Sequence, residues 1–84
     1  MGWKHSVEVL IDAPVEECRH WLPRSFGRLE EVDEHATRLV ASTDEPEWYA
    51  AQLAHLPMSF RLVGSPEVRA AMDELGRRLL AAAE

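Results

Sequence analysis

Residues 58–75 read MSFRLVGSPEVRAAMDEL, and the change of rhythm at their centre decides the fold class. Met58, Phe60 and Leu62 alternate with Ser59, Arg61 and Val63, the period of a half-buried strand. Gly64 breaks that strand. Ser65 then offers a capping hydroxyl, and Pro66 takes the first helical position, where its missing N–H costs nothing. Val68, Met72, Leu75 and Leu79 recur at helical spacing beyond it. A strand therefore runs straight into an amphipathic helix, and the class is α+β.

The same grammar appears upstream. Ser6 to Ile11 alternates, with Val7, Val9 and Ile11 on the inner face. Asp12-Ala13-Pro14 supplies a cap and a helix start, Val15, Cys18 and Leu22 mark the inward stripe, and Trp21 stands at its edge. Pro23 ends that helix by disfavouring the α conformation at Leu22. Phe26 to Val32 reads as a second strand and Thr37 to Ser42 as a third, with Leu29, Leu39 and Ala41 inward. A three-residue loop, Asp33-Glu34-His35, pairs Val32 with Ala36 and Leu29 with Leu39; a two-residue loop would set Leu29 against Val40 and mix the faces. His35 would then hold the left-handed position. Asp44 is the expected cap of the next helix, with Glu47 three residues on; Tyr49, Leu53 and Leu56 form its stripe, Trp48 flanks it and Pro57 stops it.

The two halves repeat. Asp12-Ala-Pro14 and Asp44-Glu-Pro46 are spaced by 32 residues, Leu22-Pro23 and Leu56-Pro57 by 34. Two split βαβ units predict a ferredoxin-like βαββαβ sandwich with an additional C-terminal helix. Strands one and three would be central, four and two at the edges, and both crossover helices on one face. The expected core is Val7, Val9, Ile11, Leu29, Leu39, Ala41, Leu53, Phe60, Leu62 and Leu75.

Such a sheet leaves its other face open. That face would carry Glu8, Leu10, Arg28, Glu30, Val32, Arg38, Val40, Ser42, Ser59, Arg61 and Val63. Arg28, Arg38 and Arg61 are its candidate contact residues: they either pair with Glu30 and Glu8 across strands or receive an anion or an acidic partner. Stacking aromatics of the kind an RNA-binding sheet needs are missing from it.

Eighty-four residues make one domain, 1–84, which buries only about 60–65% of its unfolded surface and so suits a partner surface. Lys and Arg number 9 against 15 Asp and Glu, a net charge of −6 that opposes phosphate-backbone binding. The single cysteine gives neither a disulfide nor a zinc spacing and favours a reducing compartment. His5, His20, His35 and His55 form no metal motif, so no metal and no cofactor are expected. Cys18 reads as a buried stripe residue, and neighbouring carboxylates such as Glu16-Glu17 point apart, so no catalytic residue is assigned. No run is long and apolar enough for a membrane span, and Met1-Gly2 with Ser6 fits a myristoylation pattern only by chance.

The ending FRLVGSPEVRAAMDELGRRLL (60–80) resembles the C-terminal signature of bacterial WYL-type transcriptional regulators, a strand, then Pro-x-x-Arg, then a helix. Pro66, Val68 and Arg69 hold those positions. VEVLIDAPVEECRHWL (7–22) looks like that family's opening strand and helix, and EPEWYAAQLAHL (45–56) like its middle helix. The chain departs from the pattern in two turns, with Leu56-Pro57 and Asp33-Glu34-His35 where a glycine is common. What it resembles is the WCX domain, the C-terminal extension that follows the WYL domain. The resemblance implies a C-terminal fragment of a longer cytoplasmic regulator, with DNA bound only through an N-terminal domain. It implies partners too: the WYL domain of the same or partner protomer, a homodimer, and an effector site along the border. A stand-alone ACT-like domain binding a small metabolite is the alternative. An acylphosphatase-like enzyme is the least favoured, since Ile11-Asp12-Ala13-Pro14 stands where its glycine-rich phosphate loop belongs.

Overall fold

The expected strands and helices all form in the computed structural model, which describes residues 4–84; the Met1-Gly2 pattern begins outside the described residues. The order is β1 (His5–Ile11), α1 (Val15–Trp21), a 3-10 turn (Arg24–Phe26), β2 (Arg28–Asp33), β3 (Ala36–Thr43), α2 (Pro46–Leu53), β4 (Phe60–Leu62) and α3 (Pro66–Ala82). The four strands form one antiparallel sheet in the order β2-β3-β1-β4, so strands one and three are central, as the doubled pattern predicts.

Register follows burial. Leu29, Leu39, Val9 and Leu62 lie in one row across the sheet, and Ile11 stands between Thr37 and Phe60 in the next. Val7, Val9, Ile11, Leu39, Leu53 and Leu62 are buried together with Cys18, Tyr49 and Val68, so the helices close this face. Leu29, Ala41 and Phe60 pack at the margin, half-buried. Leu75 is the exception among the expected core residues. It is half-buried but outside the packed cluster: α3 packs chiefly on α2 and buries Val68 alone, and Leu75 lines a surface groove with Ala50, Phe60 and Met72.

The β2–β3 loop corrects the sequence reading. Asp33 pairs with Ala36, leaving the two-residue turn Glu34-His35, and a bulge between Glu31 and Asp33 absorbs Val32. Leu29 still faces Leu39. A bulge thus restores the register that a three-residue loop was expected to set. His35 is not left-handed. Its N–H instead donates to Asp33 Oδ1 at 2.7 Å, an Asx turn that needs no positive φ.

Two caps also differ. Neither Asp12 nor Asp44 caps a helix; Pro14 and Glu45 hold the N-cap positions without a side-chain bond. The Asp12 N–H donates to the Ser59 carbonyl at 2.9 Å, and the Thr43 hydroxyl accepts from Glu45 N–H at 3.0 Å. Ser65 does cap, accepting from Val68 N–H at 3.2 Å. α2 ends at Leu53, three residues earlier than Leu56 suggests.

Phe26 was expected to open the second strand but sits in the 3-10 turn, buried and stacked on Tyr49 with ring centroids 4.2 Å apart. The Tyr49 hydroxyl donates to the Phe26 carbonyl at 3.1 Å. The chain then passes through Gly27, whose backbone presses against β3.

Candidate functional site

The open face is built by strand alternation alone. Residues outward on the four strands fall into two rows: Glu30, Arg38, Leu10 and Arg61 in one, Arg28, Val40 and Glu8 in the other. Between those rows the charges form a ladder. Arg28 makes a two-nitrogen contact with Glu30 Oε2, at 2.7 and 3.0 Å. Arg38 Nε lies 3.1 Å from Glu8 Oε2, and its Nη1 3.9 Å from Glu30 Oε1. That Nε is shut off from solvent without the alignment of a hydrogen bond. Arg38 is therefore shared between two carboxylates, and the order Glu8, Arg38, Glu30, Arg28 alternates in sign.

Arg61 is different. It faces Leu10 across the β1–β4 pair and has no carboxylate within ion-pair distance among the described residues. The structure thus joins Arg28 and Arg38 into one network and leaves Arg61 at its edge. Leu10 and Val40 are half-buried at the centre, and Val32 and Val63 are about half-exposed at the rim. The pairs are partly exposed, so each adds at most about 1 kcal/mol to stability. Their consequence is for binding: a face whose charges already satisfy one another is cheaper to cover than one of free ions.

Cys18 and Tyr49 are taken up in packing. Cys18 is fully buried and its thiol points to the Ala13 carbonyl at 3.8 Å. Burial pushes the thiol pKa up, the Thr37 hydroxyl works against this, and Glu17 adds to it, so the nucleophilic thiolate is disfavoured. Thr37 itself donates to the same Ala13 carbonyl at 2.8 Å. Burial likewise drives the Tyr49 phenol far above its ordinary range. Among the described residues no three His, Cys, Asp or Glu side chains gather as a metal site would require.

Comparison with protein families matches residues 3–80 to the WCX domain. The chain belongs to the WCX domain family. No curated protein and no solved structure matches it. The matched span takes in all four strands and reaches the last turns of α3, so the open face and both its borders lie within the WCX domain. No helix among the described residues is long and apolar enough to cross a membrane.

Two features of this WCX domain are absent from the sequence reading. Trp21 and Trp48, each about half-exposed, flank a small groove floored by Leu22, Phe26 and Leu56. Arg19, Arg24 and Arg28 line a larger cleft on the other side of the Pro23 turn, with Leu22 and Leu29 as its apolar wall. These arginines come from α1, the 3-10 turn and β2, and only the packing of α1 against β2 brings them together. No local motif announces that.

Proposed function

We propose that this WCX domain is a non-enzymatic regulatory and dimerisation module of a WYL-type bacterial transcriptional regulator, framed as a ferredoxin-like sandwich. In this reading residues 1–84 act as one domain of a longer cytoplasmic regulator. The open face docks on the WYL domain of the same or partner protomer and borders its effector site. DNA is bound by an N-terminal domain elsewhere in that regulator.

The family match over residues 3–80 carries the reading. The strand order β2-β3-β1-β4 supports the ferredoxin-like frame. The face supports the docking: Leu10 and Val40 form an aliphatic centre ringed by self-neutralising pairs, and Arg61 remains available to a partner's carboxylate. Buried and raised in pKa, Cys18 supports a role without catalysis.

The reading frame that encodes the chain gives the first test, and a winged helix and WYL segment ahead of residue 1 are expected. Titration of the chain with that WYL segment gives the second. Val40→Asp, which replaces an aliphatic side chain at the centre of the face by a carboxylate between Arg28 and Glu8, is expected to weaken binding at least about tenfold. A reading frame without a WYL segment, or an affinity that Val40→Asp leaves unchanged, overturns the proposal.

A further inference from the structure

In a chain with 15 acidic and 9 basic side chains, most arginines find a carboxylate or lie scattered. Two of those lining the cleft beside the Pro23 turn do neither. Arg19, Arg24 and Arg28 line it together, and Arg19 and Arg24 have no carboxylate within ion-pair distance among the described residues. Arg19 in the last turn of α1 complements the helix dipole, a task that one cation completes. Arg19 and Arg24 are two unpaired like charges lining one space, and Arg28, held by Glu30, borders it.

The rest of the cleft is apolar. Leu22, Pro23 and Leu29 form its wall, and Gly27 leaves the backbone bare between them. Its volume, about 650 Å³, falls within the range of small-molecule sites, roughly 300–1,000 Å³. Guanidinium forks match the oxygens of a phosphate in pairs, whereas an apolar wall suits a hydrophobic body.

We infer that this cleft binds a small phosphate monoester with an apolar body: the phosphate is held by Arg19 and Arg24, and Arg28 completes the cluster from its pairing with Glu30. Arg28 stands opposite Val40 on the open face, but Arg19 and Arg24, which hold the phosphate, lie on α1 and the 3-10 turn, so the site stands whether or not the open face docks on a WYL domain.

The experiment uses the whole 84-residue chain and follows the arginine side-chain Nε–Hε resonances during titration with phenyl phosphate, inorganic phosphate and phenylacetate. Saturable shifts at Arg19, Arg24 and Arg28 are expected, tighter for phenyl phosphate than for the other two. Arg19→Ala and Arg24→Ala are each expected to weaken phenyl phosphate about tenfold, the loss of a charge-assisted hydrogen bond. Arg24→Lys should recover part of that loss, because it keeps the charge and gives up the fork. Both positions are exposed, and unchanged backbone amide spectra will show that the variants fold. Shifts that never saturate mean an adventitious ion only and overturn the site. So does equal binding by the Arg19→Ala/Arg24→Ala double variant, or a loss that follows Arg61→Ala instead. A phosphoserine peptide that binds more tightly than phenyl phosphate overturns the small-molecule assignment. The WYL titration with Val40→Asp reads the open face, and Arg19→Ala and Arg24→Ala read the cleft from positions outside that face, so failure of one proposal is separable from failure of the other.

Discussion

A methyl group placed on Gly27 would come within 2.7 Å of the Ala41 Cβ, 2.8 Å of the Leu39 side chain and 2.9 Å of the Val40 carbonyl oxygen. Its backbone is extended and open to any residue, so the requirement is one of space alone. That close approach lets the 3-10 turn drop onto β3 and seats Phe26 on Tyr49. Gly27→Ala is accordingly expected to cost about 1–3 kcal/mol, the range for an overpacked core, in a urea melt followed by Tyr49-sensitive near-UV dichroism. An unchanged midpoint would show that β3 yields freely. Nothing in the sequence marks this glycine apart from Gly64, which looks the more structural of the two yet would meet nothing within 4 Å. A glycine's role depends on what passes near it, and only tertiary packing decides that. Buried alternation at Val7, Val9, Ile11 and Leu39, by contrast, was fully legible, because period two is a local property.

Elements show the same division. The junction of β4 with α3 is legible because the cap, the proline and the periodicity agree, and Ser65 does bond Val68 N–H. The strain is displaced by one residue: Ser65, not Gly64, takes the positive φ of 75°. This orders two substitutions. Ser65→Ala removes the hydroxyl and keeps a side chain in the left-handed region, so a loss of about 1 kcal/mol or more is expected. Ser65→Gly removes the hydroxyl but relieves the backbone, so only a few tenths should be lost. Chemical denaturation of both variants checks the order, and equal losses would contradict the φ. The expected caps at Asp12 and Asp44 fail for a complementary reason. Pro14 itself occupies the N-cap of α1, and Thr43 supplies the hydroxyl near α2, so neither aspartate sits where its carboxylate reaches a free N–H of the first turn. The β2–β3 loop was half legible. Hydrophobic pairing of Leu29 with Leu39 imposed the register, and the chain met it with a bulge at Val32 that residue types alone do not announce.

On the scale of the whole molecule, the doubled motif was enough to order the strands, and alternation was enough to put Arg28, Arg38 and Arg61 on one face. How the charges on that face settle was beyond it, since Arg38 divides itself between Glu8 and Glu30 while Arg61 finds neither. The balance of charge now limits what the domain binds. Duplex DNA presents a continuous line of phosphates, and affinity grows with the number neutralised together. Here Arg28 and Arg38 are already committed to carboxylates, and the net charge is −6. A duplex that reached the Arg19–Arg24 cleft would bring its neighbouring phosphates against an acidic molecule, whereas a single phosphate monoester would not. The isolated chain is therefore expected to show no binding to random duplex DNA up to about 100 µM at about 150 mM salt, by fluorescence anisotropy, where non-specific DNA-binding proteins have dissociation constants of roughly 1–100 µM. Arg38→Ala and Arg61→Ala should leave that baseline unmoved. Micromolar binding lost in those two variants would mean that the ladder opens to release its arginines, and the face would then be a nucleic-acid surface instead of a protein one.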